Sequence, residues 1–220
     1  MKSVRIWYKK SGLVIYTSHL DMNRCFTRSV RMANIPLWYT EGFNPHPYMT
    51  FLLPLPLGTA GLREPIDIRI EGDISNEEIS SRLNSVLPEG LEIVDVTEPV
   101  HKVNEIVSAK YEISVEFLTE GEAEGFAAGA ESVIKGGELL AEKKTKKGMK
   151  TVNLCEMVNS FSAESNKNTA KIVAVLATGQ ALNLNANLLM DSLLKEFGAD
   201  PERLSITRTE IYIENNLNFE

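Results

Sequence analysis

A histidine held between two prolines is the residue of this chain best prepared for chemistry. His46 stands between Pro45 and Pro47, and each proline fixes its own φ and pushes the preceding residue toward extended geometry. The same loop contains Gly42, which allows backbone angles that other residues resist. Loops held this way often carry binding or catalysis. The alternative for the same spacing is a stiff turn between two strands.

A second set of polar residues could hold a metal ion or carry out acid–base catalysis. His19 and Asp21 lie two residues apart at the start of a predicted helix, and two histidines with two carboxylates suit zinc or iron. Either His19 or His46 could act as the catalytic residue, because an imidazole titrates near neutral pH. The structural alternative is that Asp21 only caps the helix. The candidate metal ligands are His19, Asp21, His46 and Glu64, with Glu41 and Asp67 as further polar candidates.

Cations flank an aromatic ring on the first predicted strand, an arrangement suited to single-stranded RNA. Residues 4–9 alternate between apolar and polar, so Arg5, Trp7 and Lys9 would share one face of the sheet. The cations would meet phosphates and the indole would stack on a base. The alternative is a tryptophan that covers a second layer of the protein, with the cations at its edge.

The first predicted helix carries arginines on one face. Ser18 can cap this helix, with Asp21 in the capping-box position. The arginines that follow are spaced four and three residues apart with no acidic residue between them, an arrangement suited to a phosphate-binding edge. The alternative, and in general the commoner case, is a solvated helix face. Together with the proline-braced loop, this gives the predicted RNA-binding residues Arg5, Trp7, Lys9, Arg24, Arg28, Arg31, Phe43, Asn44 and His46.

The composition is that of an ordinary globular protein with a basic front. The 220 residues are 43% hydrophobic and 24% charged, and the net charge is −7. Residues 1–70 carry a net charge of +5 and the remainder −12, which suggests one face that meets an anion. No apolar run approaches the roughly 20 residues of a membrane helix. Cys25 and Cys155 are far apart and favour free thiols, so we expect a cytoplasmic protein without membrane contact.

The order of predicted elements indicates an α+β protein. Residues 1–98 have the pattern β-α-β-β-α-β, and residues 109–220 repeat nearly the same order with an extra strand or long hairpin. One of the strands predicted in the second half covers residues 151–161. A linker at residues 99–108 separates the halves. We therefore predict two ferredoxin-like units in tandem, each an antiparallel sheet with both helices on one face, the first basic and the second acidic.

Three motifs near the start resemble the radical-SAM-linked protein family of bacteria, and the match is strongest over residues 4–70. Members of that family are fused to, or encoded beside, radical S-adenosylmethionine proteins. The resemblance implies a stand-alone protein that acts near such an enzyme, in RNA modification, although the family has no established reaction. The chain departs from the pattern at Met32 and Tyr48, where basic residues are usual. The motifs are Tyr8-x-Lys10-x-Gly12, Ser18-His19-Leu20-Asp21 with the following arginines, and Gly42-Phe43-Asn44-Pro45-His46-Pro47.

These features leave three functions open. The first is an RNA-binding or adaptor protein that acts with a radical-SAM enzyme, its partners being RNA and that enzyme. The second is a metal-binding or RNA-processing enzyme that uses His19 or His46 with nearby carboxylates. The third is a pure protein-interaction module, in which the acidic second half docks the enzyme. The sequence contains no CxxxCxxC, Walker loop or GxGxxG, so it indicates no cofactor of its own and does not favour an independent enzyme.

Overall fold

Two separate hydrophobic cores divide the chain. In a computed structural model, which describes residues 1–145, 148–179 and 182–220, the first unit comprises Met1–Val103 together with Glu220. The second unit comprises Asn104–Phe219. Each unit packs helices against a sheet around its own cluster of buried apolar side chains.

The first unit is an antiparallel sheet with helices packed against it. Within residues 1–103, the sheet order is β4-β1-β3-β2, and every pairing is antiparallel. A short 3₁₀ turn, Gly12–Tyr16, connects the first strand to the first helix. The elements in chain order are β1 (Lys2–Lys10), α1 (His19–Met32), β2 (Met49–Phe51), β3 (Thr59–Ile70), α2 (Asn76–Asn84) and β4 (Leu91–Thr97).

The start of α1 follows from local chemistry. The Ser18 hydroxyl accepts a hydrogen bond from the Asp21 backbone N–H at 3.1 Å, which satisfies a donor that the helix leaves open. Met22, Phe26 and Val30 recur at the helical period and are all buried. The Ser18 cap and this apolar stripe confirm the predicted helix. Because Met22, Phe26 and Val30 are buried, the opposite face of α1 is exposed to solvent.

The second unit is also an antiparallel sheet with helices. Within the described part of residues 104–219, the main sheet has the order β10-β5-β9-β8, and a separate hairpin pairs β6 with β7. Helix α3 begins with a full capping box between Thr119 and Glu122. The elements are β5 (Ser108–Glu116), α3 (Glu120–Gly136), β6 (Leu140–Thr145), β7 (Gly148–Asn153), β8 (Val158–Asn166), β9 (Thr169–Ala177), α4 (Ala186–Phe197) and β10 (Arg203–Tyr212).

The predicted α+β class is confirmed, and the sheet pairings described above are antiparallel. The predicted strand over residues 151–161 is wrong in part, because the 3₁₀ turn Leu154–Met157 separates β7 from β8. The Asn153 side chain accepts a hydrogen bond from the Cys155 N–H at 3.2 Å, which starts this turn. Among the described helices, none has both the length and the apolar composition needed to cross a lipid bilayer.

Candidate functional site

Arg5, expected on an open face, lies inside the protein and is 1% exposed. Its Nε and Nη2 donate to the two carboxylate oxygens of Asp67 at 2.7 and 2.9 Å. Nη1 also donates to the Glu220 carbonyl at 2.7 Å, and Nη2 to the His101 carbonyl at 2.9 Å. The guanidinium therefore serves the fold, and its expected exposure is corrected.

Trp7 is likewise 1% exposed, so the expected open indole is also corrected. Its Nε1 donates to the Thr97 hydroxyl at 3.0 Å. The guanidinium carbon of Arg63 lies 3.6 Å from the centroid of the indole ring, and Arg63 also pairs with Asp95 at 3.1 Å. The physical reason for both corrections is the same, since alternation along a strand shows which residues share a face and not what covers that face.

The remaining predicted cations lie at the surface. Lys9 is partly exposed on β1, opposite Glu92 of β4. Arg24, Arg28 and Arg31 are all exposed on α1. Arg24 contacts the Asp21 carboxylate at 3.2 Å. Over the part of the chain that the structure describes, Arg28 and Arg31 have no ion-pair partner.

The proline-braced segment is a small hairpin, called here the loop hairpin (residues 38–48). The Tyr48 N–H donates to the Trp38 carbonyl at 2.9 Å, and the Thr40 N–H donates to the His46 carbonyl at 2.9 Å. The guanidinium carbon of Arg69 on β3 lies 4.2 Å from the Tyr48 ring centroid and 5.5 Å from that of Trp38. The base of the hairpin is thus attached to the sheet by cation–π contacts.

The tip of the loop hairpin presents three predicted site residues to solvent. Phe43, Asn44 and His46 are exposed, and the Phe43 ring makes the tip apolar. The His46 Nδ1 lies 3.1 Å from the Thr40 hydroxyl and 3.2 Å from the Asn44 carbonyl. These contacts orient the imidazole. Because the tip is exposed, its side chains are free to contact a ligand or partner.

The candidate metal ligands do not assemble into a site. Over the described residues, no group of three or more His, Cys, Asp or Glu side chains is placed to hold a metal ion. The His19 ring instead meets the edge of Phe51, with centroids 5.2 Å apart. The Asp21 carboxylate accepts a hydrogen bond from the hydroxyl of Ser18, the N-cap residue of α1, and this bond, followed by the Arg24 contact, lowers the pKa of the Asp21 carboxyl. Glu64 is buried and His46 lies on the loop hairpin.

A buried lysine was missed by the sequence reasoning. Lys10 is 1% exposed, and its Nζ donates to the Thr17 carbonyl at 3.2 Å, one residue before the cap of α1. Burial lowers the pKa of this amine, while the nearby Glu64 carboxylate opposes the shift. The motif Tyr8-x-Lys10-x-Gly12 was the only signal for this position, and it did not indicate burial.

The 3₁₀ turn Gly12–Tyr16 is held in place from several directions. The Ser11 N–H donates to the Gly90 carbonyl at 2.8 Å, and the Gly58 N–H donates to the Ile15 carbonyl at 3.0 Å. Gly90 has a φ of +90°, and a Cβ there would collide with the Ser11 carbonyl oxygen. The turn therefore has fixed geometry, to which the Lys10 contact with Thr17 adds.

This fixed turn carries large apolar side chains that point to solvent. Leu13 is 88% exposed and Tyr16 is 67% exposed. Leu20 lies in the first turn of α1 and is 59% exposed. Leu57 is 58% exposed and precedes Gly58, whose N–H donates to the 3₁₀ turn. Clustered exposed apolar groups mark interaction sites, and these four side chains belong to the 3₁₀ turn or adjoin it in the chain or at the Gly58 hydrogen bond. We call Leu13, Tyr16, Leu20 and Leu57 the apolar surface.

Each unit also carries a concave surface. A groove of about 460 Å³ runs along α1 in the first unit and is called here the α1 groove. In the second unit, the face of the sheet carries a depression of about 550 Å³ whose polar lining includes Glu112, Ser114, Glu164 and Lys171. The mixed charge of that face gives it no clear preference for an anion.

Comparison with known proteins gives a family and little more. A family model described as "Uncharacterized protein conserved in bacteria (DUF2344)" matches residues 3–186. No curated protein matches the chain. A solved structure titled "Crystal Structure of an Unknown Protein from Galdieria sulphuraria" is similar at 13% identity and a TM-score of 0.28, over 94% of this chain and 98% of that one. A TM-score this low supports no conclusion about fold or function.

Proposed function

The chain belongs to the DUF2344 family of uncharacterized proteins conserved in bacteria, and we propose that it is an adaptor that docks onto a radical-SAM enzyme. The kind of partner rests on the resemblance of the Ser18-to-Asp21 and Gly42-to-Pro47 motifs to the radical-SAM-linked family. The docking role rests on the apolar surface. In this proposal the chain itself catalyses no reaction.

The observation that carries the proposal is the exposure of Leu13 and Tyr16 on a turn whose geometry is fixed. A surface that is ordered before binding loses little conformational entropy when the partner arrives. Burying one large apolar side chain contributes about 2 kcal/mol, so these two side chains can act as binding hot spots. The buried hydrogen bond from Lys10 to the Thr17 carbonyl contributes to this order, because it holds the junction between the 3₁₀ turn and α1.

A pull-down from the bacterium that makes the protein tests this function. The tagged chain should co-purify a radical-SAM protein, identified by mass spectrometry. Tyr16→Asp should reduce the recovered enzyme about tenfold, because a carboxylate cannot enter an apolar interface without loss of hydration. Leu118→Asp is the matched control, since Leu118 is 74% exposed but belongs to the second unit. Equal recovery with Tyr16→Asp and Leu118→Asp would reject the apolar surface as the dock.

RNA binding is the second candidate, favoured by the exposed arginines of α1 that have no acidic partner. Arg28 and Arg31 would contact phosphates, and Phe43 at the hairpin tip would stack on a base. Affinity for an RNA oligonucleotide should then fall steeply as salt rises. A double variant that replaces both arginines with alanine should flatten this salt dependence. Salt-independent binding, or no binding, would remove this candidate.

We also infer the finer features of fold and location on which an adaptor role rests. The element order of the first unit supports a ferredoxin-like unit, and the second unit, with its extra hairpin, supports another in tandem. Cys25 and Cys155 are free thiols, which supports a reducing compartment such as the cytoplasm. An experimentally determined structure would test the first inference, and fractionation of cells would test the second.

A further inference from the structure

The α1 groove combines an apolar floor with cations at its rim. It lies between α1 and the segment after α2, and its lining includes the charged residues Asp21, Arg24 and Arg28 together with Cys25, Met32, Val86 and Pro88. The floor is formed by apolar or weakly polar side chains, among which Met32 is 53% exposed. Methionine adapts its shape to different neighbours and is common on protein-binding surfaces.

The charges at the rim are available for a ligand. Arg28 has no ion-pair partner over the described residues, and Arg24 contacts only Asp21 among the ion pairs. Both partners of that pair are more than half exposed, with side chains 70% and 56% exposed, so the pair itself contributes little stability. A carboxylate from a ligand can therefore compete for these guanidinium groups, which bind carboxylates through paired hydrogen bonds.

The floor of the groove is uncharged at neutral pH. Burial raises the pKa of the Cys25 thiol, so the thiol stays protonated. The lining residues include no aromatic ring on which a base could stack. The one carboxylate of the lining, that of Asp21, is held by Ser18 and Arg24. These features favour a peptide over a nucleic acid as the occupant.

We propose that the α1 groove binds an acidic segment of a partner protein, with carboxylates on the Arg24 and Arg28 rim and an aliphatic side chain on the Met32 floor. This inference rests on the proposed adaptor function and gives the chemistry of the partner. From Asp21 to Met32 the helix is about 17 Å long, which matches about three helical turns of a bound segment.

Two synthetic peptides of about 12 residues test the proposal. They share their leucine positions and differ only in the charged positions, which are glutamate in one and lysine in the other. The glutamate peptide should bind, measured by fluorescence anisotropy, and the lysine peptide should not. Binding should also slow alkylation of Cys25, while Cys155 in the second unit serves as the internal reference.

Two variants of α1 separate the groove from general electrostatics. Arg28→Glu should weaken binding of the glutamate peptide about tenfold, as expected for loss of an interfacial charge pair. Arg31→Glu is the matched control, because Arg31 is exposed on the same helix but does not line the groove. It should weaken binding by less than about threefold.

Several results would overturn the proposal. These are tight binding of the lysine peptide, no binding of either peptide, an equal effect of the two arginine variants, or protection of Cys25 by an RNA oligonucleotide instead. The apolar surface is tested separately by the Tyr16→Asp pull-down. If neither peptide binds but the pull-down succeeds, the adaptor function is retained and the groove proposal is rejected. If the glutamate peptide binds but the pull-down fails, only the groove proposal is retained.

Discussion

Arg5 and Asp67 face each other across β1 and β3 and form a two-pronged ion pair, with Nε–Oδ1 and Nη2–Oδ2 distances of 2.7 and 2.9 Å. The same guanidinium also binds two main-chain carbonyls. A cation that looked available to RNA in the sequence is thus fully used within the fold. What remains of the basic front is concentrated on α1.

Removal of the Arg5 side chain should destabilise the first unit strongly. Arg5→Ala removes both guanidinium donors of the Asp67 carboxylate and one donor each of the Glu220 and His101 carbonyls. We expect a loss of about 3 kcal/mol in the free energy of unfolding. Urea titration followed by tryptophan fluorescence measures this unit alone, because Trp7 and Trp38 both lie in it. Arg28→Ala, an exposed control, should change stability by no more than about 0.5 kcal/mol. Similar losses for both variants would contradict the assignment.

The 3₁₀ turn should depend on the glycine that it contacts. Gly90→Ala adds a Cβ that meets the Ser11 carbonyl and also strains a φ of +90°, so we expect a loss of about 2 kcal/mol. Gly72→Ala is the control, since Gly72 has a φ of +83° but no atom within 4 Å of an added Cβ. It should lose only the strain contribution, about 1 kcal/mol. Urea titration of both variants decides between the two contributions.

The cap of α1 predicts a specific pH dependence. The Ser18 hydroxyl, and then Arg24, lower the pKa of Asp21 in the folded protein. A lowered pKa contributes stability that is present above the unfolded pKa and is lost as pH falls through the folded pKa. Ser18→Ala should raise the Asp21 pKa toward its ordinary value and cost about 1 kcal/mol at neutral pH. An NMR titration of the Asp21 carboxyl checks this.

The control for that titration is the equivalent cap of α2. The Ser75 hydroxyl accepts from the Glu78 N–H, as the Ser18 hydroxyl accepts from the Asp21 N–H. Ser75→Ala should destabilise α2 without moving the Asp21 pKa. A titration curve for Asp21 that is the same in wild type and in Ser18→Ala would show that the hydroxyl does not set the pKa.

The loop hairpin should loosen when its cation is removed. Arg69→Leu eliminates the cation–π contacts to Tyr48 and Trp38, which contribute about 1 kcal/mol in total. Hydrogen exchange at the Thr40 amide should therefore become about fivefold faster. Arg63→Leu removes a comparable contact, the one to Trp7, and should leave the Thr40 amide unchanged. Unaltered exchange in Arg69→Leu would mean that the prolines and the backbone hydrogen bonds hold the hairpin without the cation–π contacts.

Local features were predictable from the sequence. The Ser18 cap and the apolar stripe of α1 follow from spacing within a few residues, and alternation located β1 and β5. The candidate site was harder to predict from the sequence. The exposure of Arg28 and Arg31 could be expected, but burial of Arg5 and Trp7 depends on Asp67 and Thr97, which are 62 and 90 residues away in the chain.

The second unit gives a further example of what the sequence concealed. Residues 151–161 contain the apolar and β-branched residues of a strand, yet a hydrogen bond from the Cys155 amide to Asn153 breaks the strand with a turn. In the first unit, the α1 groove needs Val86 and Pro88 from the segment after α2, so no contiguous motif could reveal it. The break in the strand comes from a hydrogen bond between residues only two apart, whereas the groove depends on contacts between distant segments.

The two thiols, one in each unit, can carry the donor and acceptor dyes of a fluorescence resonance energy transfer experiment. Burial raises the pKa of both Cys25 and Cys155, so dye attachment will proceed faster in mildly alkaline buffer. A donor and an acceptor would then report, molecule by molecule, the distance between the two labelled positions in the protein without a partner, because a dye on Cys25 would occupy the α1 groove. No engineered cysteine is needed for that measurement.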